Sequence, residues 1–556
     1  MPRTREETWQ RLGDETFDLL IIGCGITGAG AVRDAARRGL RVAVVDANDI
    51  AFGTSSRSSK LVHGGLRYLE HLEFSLVFEA VSERRVLQNI APHLVNPLGF
   101  IFPIFDTSPH GLSTLRAGLW LYDGLSLFRS PKLAKTLSKK AIAKAEPLLR
   151  QQGLKGAPLY YDCATDDARL TLETVMDAEA QGACVLTYGR VTGLMRDGAG
   201  RVSGGVIEDV LNGPGGPTVQ VRAHAVINAT GPWTDKTRNL GQGGSHLLRP
   251  TKGVHIVVPQ ERLPLEYAVV CNHPEDGRVL FAIPWGDQSY IGTTDTDYQG
   301  RPEDVAADAE DVRYLIAAAN DYFPGVSLTP ADVTATWAGL RPLILQEGRS
   351  ESSVSREHEI IVDADGLITI AGGKLTTYRR MGAEVVTRAL DLLALTGHIP
   401  EHVRDAHTGR EPLPGAVGWP EDDDHDKVAA QILKASEGRV EPDTARHLAD
   451  RYGTRGIDIA RYAASHQRLL TRLVPGRPEL LALVDWAVNR EQAQRVSDVM
   501  VRRTQLFFRD VDQGLGAVEQ VAERMAELLG WDDERRTREI LDYQAEVARS
   551  RQWRTG

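Results

Sequence analysis

Hydrophobic positions near the N-terminus fall into two short strand-like runs, with a glycine-rich turn and an alanine-rich stretch between them. The first run, Phe17-Asp-Leu-Leu-Ile-Ile, leads into the turn Gly23-Cys-Gly-Ile-Thr-Gly28. The second run, Arg41-Val-Ala-Val-Val, ends at the acid Asp46. Short apolar runs suit buried parallel strands, and the stretch between them suits the helix that connects such strands. The pattern predicts a βαβ unit over residues 17–47.

The glycines and the acid of this unit have the spacing of a dinucleotide-binding turn. Gly23 allows a sharp turn, Gly25 allows the backbone to approach a pyrophosphate, and Gly28 allows the helix to pack closely on the sheet. The helix N-terminus then faces the pyrophosphate, and Asp46 can accept a hydrogen bond from a ribose hydroxyl. The turn predicts bound NAD or FAD, and the acid disfavours NADP. The alternative is a Rossmann-like unit that has lost its ligand.

Two later segments have the pattern of a strand that ends in glycines. They are Ala225-Val-Ile-Asn-Ala-Thr-Gly-Pro-Trp233 and Ile368-Thr-Ile-Ala-Gly-Gly-Lys-Leu-Thr-Thr377. An isoalloxazine ring needs close backbone approach, and a helix N-terminus near the ring stabilises the reduced flavin. Three such segments in this order favour FAD over NAD.

The remaining pattern predicts a second sheet and a helical C-terminal part. Apolar residues at helical spacing predict a helix over 72–91, and apolar runs near 185–192 and 219–229 predict strands. Strand-like segments dominate 250–295, which indicates a mixed β-sheet domain. Residues 480–549 have an almost wholly helical pattern.

We therefore predict an α/β plus α fold with a discontinuous Rossmann-like FAD-binding domain, a mixed β-sheet substrate domain and a helical C-terminal domain. The acidic run 421–426 is interpreted as part of a solvated linker region. The predicted limits are 17–110, 160–245 and 340–400 for the FAD-binding domain, 246–339 for the substrate domain, 111–159 for a basic and aromatic segment, and 401–556 for the helical domain.

Composition narrows the functional classes. The chain has 556 residues and a net charge of -10, which argues against general nucleic-acid binding. No apolar run reaches the ~18 residues of a membrane span, and the N-terminus lacks the apolar core of a signal peptide. The four cysteines are scattered without a CxxC pair, which favours reduced thiols and gives no support to a metal site.

Several blocks of the chain resemble the FAD-dependent glycerol-3-phosphate dehydrogenases, the aerobic bacterial and mitochondrial type that passes electrons to quinone. The departures are small, since Asp46 stands where this family usually has Glu and Cys24 replaces a common Gly. The blocks are Ser58-Ser-Lys-Leu-Val-His-Gly-Gly-Leu-Arg-Tyr-Leu-Glu70, Asp162, Asp166-Asp-Ala-Arg-Leu170, Asn228-Ala-Thr-Gly-Pro-Trp233, Lys252-Gly-Val-His255, Ile283-Pro-Trp285, Ile291-Gly-Thr-Thr-Asp295, Gly339-Leu-Arg-Pro342 and Gly372-Gly-Lys-Leu-Thr-Thr-Tyr-Arg379.

The resemblance implies oxidation of sn-glycerol 3-phosphate to dihydroxyacetone phosphate, with hydride moving from C2 to flavin N5 and electrons passing to a quinone. It also favours a set of contacts to FAD. The cofactor-binding residues expected from the turn and the matched blocks are Gly23, Gly25, Gly28, Asp46, Ser58, Ser59, His63, Gly64, Thr230, Gly231, Gly372, Gly373, Lys374, Leu375 and Thr376. For His63 a packing role is an equal alternative.

The chemistry of the substrate gives a candidate set of side chains. A phosphomonoester needs guanidinium groups that bind its oxygens in pairs, which Arg67, Arg341 and Arg356 can supply, and Tyr68 can add a hydroxyl. His255 is the side chain best suited by its intrinsic pKa to take the C2 hydroxyl proton. Arg341 would polarise the forming carbonyl. Lys374 lies at the flavin turn, which is the segment 372–376 expected beside the flavin ring. We assign His255, Arg341 and Lys374 to catalysis.

One segment has the composition of a membrane-surface anchor. Apolar and aromatic residues from Leu112 to Phe128, including Trp120, precede a basic stretch that contains one acid, Glu146. Such a combination suits peripheral binding to anionic lipid at the inner face of the cell membrane, next to the quinone. The alternative is an ordinary helix pair with a solvated lysine face. The basic residues are Arg129, Lys132, Lys135, Lys139, Lys140, Lys144 and Arg150.

Other functions stay open from the sequence. The nearest alternative is a glycerol-3-phosphate oxidase, which would reduce oxygen, and a more distant one acts on another substrate, such as an amino acid or a different hydroxy acid. The alternative of another class is a flavin-binding regulator without enzymatic activity. We expect a cytoplasmic protein, and a homodimer is a further expectation.

Overall fold

The computed structural model describes residues 4–65, 74–108, 111–112, 118, 132–211, 213, 215–241, 246–345 and 358–555. The predicted βαβ unit is present, with strand Thr16–Ile22, helix Ile26–Arg37 and strand Val42–Val45. The two strands are parallel, as a helical crossover requires. The strand residues are almost wholly buried, which explains why the apolar runs are continuous rather than alternating.

The first sheet has eight strands within the described residues. Strand Thr218–Asn228 lies parallel to Thr16–Ile22 on one side and to Ile368–Gly372 on the other. The three predicted cofactor segments therefore end at the same edge of the sheet. The strands in order are His358–Val362, Ile368–Gly372, Thr218–Asn228, Thr16–Ile22, Val42–Val45 and Cys184–Leu186, with Val202–Asp209 and then Gly189–Arg196 attached to Thr218–Asn228.

Two helices meet closely on this sheet. A Cβ on Gly382, in helix Tyr378–Leu395, would lie 2.4 Å from the carbonyl carbon of Gly30 in helix Ile26–Arg37. The absence of both side chains allows the close approach. These helices and helix Asp167–Ala180 share one apolar core with the parallel strands, so the cofactor segments rest on a rigid base.

The second sheet has eleven strands within the described residues and is mixed, as predicted. Most neighbours are antiparallel, whereas Ala268–Asn272 and Asn96–Ile101 are parallel. The strands in order are Thr296–Asp297, Leu248–Pro259, Gln288–Gly292, Val279–Trp285, Ala268–Asn272, Asn96–Ile101, Leu154–Ala164 and Leu61–Val62, with Ala335–Ile344 attached to Leu248–Pro259, and Ile104–Phe105 and Lys135–Leu137 attached to Leu154–Ala164.

Some strands pair with strands that lie beyond the domain limits predicted from the sequence. The early strand Asn96–Ile101 falls within the segment assigned to the FAD-binding domain, yet it pairs with Leu154–Ala164 in the second sheet. The described part of 111–159 also contributes Lys135–Leu137 to that sheet rather than standing apart from it. The run near 185–192 is two strands and not one, because Tyr188 has a φ of +56° and turns the chain. The domain limits themselves stay a prediction.

The helices follow the predicted distribution. The stretch predicted over 72–91 is helix Phe74–Ile90, and the C-terminal part is predominantly helical. Outside the C-terminal part the remaining helices are Arg5–Asp14, Lys139–Ala145, Thr234–Arg238 and Ala309–Tyr322 within the described residues. The C-terminal helices are His425–Ala435, Pro442–Tyr452, Gly456–Ala464, Ala482–Glu491, the π-helical Asp498–Arg503, Leu506–Arg509, Val518–Leu529 and Asp533–Ser550.

The C-terminal helices pack against the second sheet. Val257, Ile283 and Trp337 of the sheet share one buried core with Val499 and Phe508 of the helical part. The C-terminal part is thus joined to the rest by apolar burial. Among the described residues, no helix combines the length and the apolar character that a membrane crossing needs.

Candidate active site

The glycine-rich turn has the geometry that its spacing predicted. Gly23 has a φ of +104°, and a Cβ on Gly28 would lie 1.9 Å from the Gly23 carbonyl oxygen. Gly25 precedes the helix without a side-chain cap. The amide of Ile26, in the first helical turn, donates to Ser55 Oγ at 2.8 Å. Ser55 was not predicted as a site residue, although its place in the small polar loop 54–60 was a usable signal.

Asp46 lies at the end of the second strand, against the glycine turn. Its Oδ2 accepts a hydrogen bond from the Cys24 amide at 2.7 Å, and its Oδ1 accepts one from the Asn48 amide at 2.8 Å. Burial raises the pKa of Asp46 to about 6, although these two amides oppose the rise. The carboxylate is thus oriented by the backbone and keeps further lone pairs for a ribose hydroxyl.

The three cofactor segments converge on one cleft. Gly231, at φ +54°, faces open space, since a Cβ there would meet nothing within 4 Å among the described residues. Gly372 and Gly373 have φ values of +75° and +86°, which favour glycine. The predicted residues that line the cleft are Gly23, Gly25, Asp46, Ser58, Thr230, Gly231, Gly372, Gly373, Lys374 and Leu375. A long groove with bare backbone, a helix N-terminus and an oriented acid fits an adenine dinucleotide.

The predicted cofactor residues Gly28, Ser59, His63, Gly64 and Thr376 are not part of the cleft lining. Thr376 Oγ1 accepts from the His63 amide and donates to the His63 carbonyl, both at 3.2 Å. The Gly64 amide donates to Asp162 Oδ1 at 3.1 Å, and the buried guanidinium of Arg84 donates to the same oxygen. These bonds fix the 63–64 backbone against the flavin turn.

His255 is buried on the strand Leu248–Pro259 of the second sheet. Its Nε2 and Ser59 Oγ form a hydrogen bond of 2.9 Å, and its ring stacks on Trp337 with centroids 4.7 Å apart. Within the described part of the chain, Nδ1 has no hydrogen-bond partner. Gly292 opposite leaves the space for the ring, because a Cβ there would lie 2.0 Å from His255 Cδ2. Burial, Arg341 and Lys60 together hold the pKa of His255 well below its ordinary value, so the ring is neutral.

Arg341 lies on the neighbouring strand and is held as a fork. Nη1 donates to Asp295 Oδ1 at 3.0 Å, and Nη2 donates to Thr293 Oγ1 at 3.1 Å and to the Thr294 carbonyl at 3.2 Å. The guanidinium lies over Gly253, where a Cβ would come within 2.5 Å of Nη2. A charged donor is therefore presented beside His255 in a fixed orientation.

A buried ion pair that the sequence analysis missed supports the Ser58–Ser59 segment. Lys60 Nζ donates to Asp167 Oδ1 at 2.7 Å, and the Ser58 hydroxyl donates to Asp167 Oδ2 at 2.7 Å. The Lys60 ammonium also lies near the ring centroids of Trp285, Trp337 and Phe508, at 5.9, 5.3 and 5.5 Å. The lysine lay inside a matched block, but its partner stood more than a hundred residues away.

The structure does not place every candidate. Arg67, Tyr68 and Arg356 lie outside the described residues, so the phosphate-binding set stays a prediction. Further cleft residues were not selected from the sequence, because isolated residues there carry no motif. They include Asn48, Phe52, Thr54, Arg190 and Lys236.

Comparison with known proteins first shows the class of protein to which the chain belongs. Residues 18–379 match the family described as FAD dependent oxidoreductase, and residues 406–536 match the C-terminal domain of alpha-glycerophosphate oxidase. The first match spans more than half of the chain. Together with the glycine turn and the cleft, it defines a flavoprotein oxidoreductase whose cofactor is FAD.

Individual relatives narrow the class to a family. Glycerol-3-phosphate dehydrogenase 2 of Mycobacterium tuberculosis is 39% identical over 98% of this chain and 90% of its own length. Aerobic glycerol-3-phosphate dehydrogenase of Staphylococcus saprophyticus is 38% identical, over 95% of this chain and 93% of its own length. The structure of glycerol-3-phosphate dehydrogenase from Bacillus halodurans complexed with FAD is similar at a TM-score of 0.79, with 35% identity and coverage of 98% and 97%. The chain belongs to the FAD-dependent glycerol-3-phosphate dehydrogenase family.

Proposed function

We propose that the protein oxidises sn-glycerol 3-phosphate to dihydroxyacetone phosphate and passes the electrons to a quinone. The observation that carries the proposal is that buried His255 is hydrogen-bonded to Ser59, beside the cleft residue Ser58, and has the Arg341 guanidinium as a neighbouring cation. Relatives that carry this name match nearly the full length of the chain, which supports the substrate.

In this proposal the bound FAD supplies the acceptor, flavin N5, for the hydride that leaves C2. His255 takes the proton of the C2 hydroxyl as the carbon–oxygen double bond forms, which requires the neutral ring. Arg341 stabilises the negative charge that develops on that oxygen. Ser59, hydrogen-bonded to Nε2, fixes the orientation of the His255 ring. Lys374 lies in the cleft lining beside the predicted ring position.

Arg67, Tyr68 and Arg356 are proposed to bind the phosphate. Guanidinium groups bind phosphate oxygens in pairs, which gives geometric specificity in addition to charge. Selectivity for a phosphate ester over an uncharged polyol would come from these three residues.

The test is reduction of the bound flavin without oxygen. Glycerol 3-phosphate should bleach the absorbance of the oxidised flavin in the wild-type protein, and glycerol should not. His255→Asn should keep its flavin and bleach far more slowly. A flavin that glycerol 3-phosphate does not reduce would refute the proposed activity and favour a flavin-binding regulator.

The acceptor is tested separately. The match of residues 406–536 to a domain named for an oxidase makes oxygen the second candidate. We expect turnover with a quinone analogue and little peroxide under air. Peroxide formed in equal amount to dihydroxyacetone phosphate, at a rate that quinone does not increase, would replace the quinone proposal by an oxidase.

We further propose that the protein binds peripherally to the inner face of the cell membrane through the basic segment. Lys132, Lys135, Lys139, Lys140 and Lys144 are exposed, while Glu146 is buried and so does not offset their charge at the surface. The aromatic part of this segment, including Trp120, lies outside the described residues. A cytoplasmic location and a homodimer stay proposals of the same kind.

A further inference from the structure

The loop that follows strand Val42–Val45, residues 46–53, is called the cofactor loop here. One side of it faces the cofactor cleft, and the other side faces the C-terminal helices. Asp46 and Phe52 line the cleft. Asp49, between them, is fully buried and accepts hydrogen bonds from Arg502 and Arg503 of the C-terminal part. One of these contacts joins Arg503 Nη2 to Asp49 Oδ1 at 2.9 Å.

The two arginines are fixed by their own part of the chain. Arg502 Nη2 donates to Asp498 Oδ1 at 2.6 Å, and Arg503 Nη2 donates to the Glu491 carbonyl at 2.6 Å. The hydroxyl of Tyr188, from the first sheet, also donates to Asp498 Oδ1 at 2.6 Å. We call these ionic and hydroxyl groups the Asp49 cluster; its members are Asp49, Tyr188, Asp498, Arg502 and Arg503.

The charged members of the cluster are all buried. Two carboxylates face two guanidinium groups, and the buried carboxylate of Glu491 lies 4.0 Å from Arg503 Nε. Burial alone would raise the pKa of Asp49, but the arginines hold it below its usual range. A buried ion pair adds little net stability compared with apolar packing, so its value lies in fixing one arrangement of the groups it joins. Here the joined groups are the C-terminal helices and the cofactor loop.

A second contact reaches the cleft itself. The guanidinium carbon of Arg502 lies 5.6 Å from the ring centroid of Phe52. Phe52 in turn lies 6.3 Å from Trp233, another cleft residue, between ring centroids. The C-terminal part thus contacts the cleft wall through Arg502 and the ribose-binding loop through Asp49.

We propose that the C-terminal domain is a positioning element of the FAD site, and that the Asp49 cluster holds the loop of Asp46 in the conformation that binds the adenosine half of FAD. Arg502 and Arg503 are positioning residues, since they act through Asp49 and Phe52. The inference concerns the cofactor and does not depend on the proposed substrate.

The experiment measures FAD affinity of the apo-protein by quenching of flavin fluorescence, with ADP as a competitor that occupies only the adenosine half. We expect Asp49→Asn and Arg503→Met to weaken FAD binding by about tenfold or more, and to weaken ADP competition in parallel. Arg503→Lys should recover part of the loss, since it keeps the charge but not the fork. The KM for glycerol 3-phosphate in the FAD-saturated variants should stay within about twofold.

The matched control crosses the same interface away from the cofactor loop. Arg477 is mostly buried and its Nη1 lies 2.8 Å from Asp287 Oδ2, which does not line the cleft. Arg477→Met should lower the urea midpoint of the protein and leave FAD affinity within about twofold. Unchanged FAD affinity in Asp49→Asn, or an equal loss of FAD affinity in Arg477→Met, would overturn the proposal. If Asp49→Asn does not fold, Arg502→Lys and Arg503→Lys decide between the same outcomes.

Discussion

His255 occupies a position in which burial and two neighbouring cations all oppose protonation. Of these two cations, Lys60 is the one that is not itself assigned to the substrate or the cofactor. We expect the double variant Lys60→Met with Asp167→Asn to raise the pKa of His255 and move the acid limb of kcat/KM to higher pH. The amide introduced by Asp167→Asn keeps an oxygen as an acceptor for Ser58, and the neutral pair leaves no lone buried charge. The measurement is the pH profile with a water-soluble dye acceptor.

The control uses another buried lysine on the strand of His255. Lys252 Nζ donates to Asp308 at 2.7 Å and to Asp311 at 2.6 Å, and it does not contribute to the low pKa of His255. Lys252→Met with Asp311→Asn should therefore leave the acid limb in place. An acid limb that does not move in the Lys60 variant would remove His255 as the titrating base.

Arg341 provides a second test at the residue scale. Arg341→Ala should lower kcat/KM roughly 10- to 100-fold, because one charged hydrogen bond to a bound oxygen is worth about 1.5–3 kcal/mol. Arg341→Lys should recover little, since an ammonium cannot make the three contacts of the fork to Asp295, Thr293 and Thr294. Arg249→Ala, which removes a more exposed pair with Asp297, is the control. Activity near that of the wild type in Arg341→Ala would exclude it from the site.

Individual residues were predictable where a short motif carried the signal. The conformations of Gly23 and Gly28 and the strand-end position of Asp46 follow from local spacing, and all agree with the structure. Asp49 was not found, because what it contacts is set by a segment far away in sequence. Asp49 meets arginines more than four hundred residues later, and no spacing rule covers such a distance.

At the scale of elements, the sequence predicted most strands and helices but not their partners. The run over 250–295 is a sheet as expected, yet Asn96–Ile101 and Leu154–Ala164 complete it from earlier in the chain. The pattern of apolar and polar residues in a strand indicates which of its faces are buried. It does not indicate which neighbouring strand or helix covers those faces. For that reason the predicted limits at 110 and 160 do not coincide with the edges of the sheets.

The carboxyl group of Glu146 follows helix Lys139–Ala145 and connects it to the chain next to the second sheet. Glu146 Oε1 accepts from the amides of Glu266 and Tyr267 at 2.8 and 2.7 Å, and burial raises the pKa of Glu146 from 4.5 to about 7. The folded state thus holds this proton more tightly than the unfolded state does. Its contribution to stability is complete below pH 4.5 and is lost as the pH rises through about 7.

Glu146→Gln should remove that dependence. We expect the urea midpoint of the wild type to fall relative to the variant between about pH 5 and pH 8, because the amide stays neutral throughout. Glu261→Gln, at an exposed position that does not contribute to the raised pKa of Glu146, should follow the wild type. Parallel curves for Glu146→Gln and the wild type would show that Glu146 is ionised in the folded protein.

At the scale of the whole molecule, apolar packing and buried ion pairs join the C-terminal part to the rest. The C-terminal helices close over the second sheet through a shared apolar core, and the Asp49 cluster ties them to the cofactor loop. The amphipathic pattern of 480–549 predicted the helices correctly. The pattern could not predict the ion pairs with Asp49, because the sequence of a buried pair of arginines does not differ from that of a solvent-exposed pair.

The basic segment carries the last prediction. Arg150 is not part of a free basic face, since it pairs with Asp321 at 2.7 Å and stacks on Phe105. The exposed lysines that remain should each contribute about 1 kcal/mol near an anionic leaflet, an attraction that salt screens over ~10 Å at about 0.1 M. Changing Lys132, Lys135, Lys139 and Lys140 to Glu should abolish co-sedimentation with anionic vesicles.

The same variant should lose activity with long-tailed quinones and keep activity with a water-soluble dye, because none of the four lysines lines the cofactor cleft. The matched comparison is Lys139→Glu with Lys140→Glu against Lys427→Glu with Lys434→Glu, two exposed lysines on helix His425–Ala435. Both pairs of substitutions change the net charge by the same amount. A difference in vesicle binding between the two variants would therefore identify a local docking surface. If the quadruple variant still pellets with anionic vesicles at moderate salt, these lysines are an ordinary solvated face and not a docking surface.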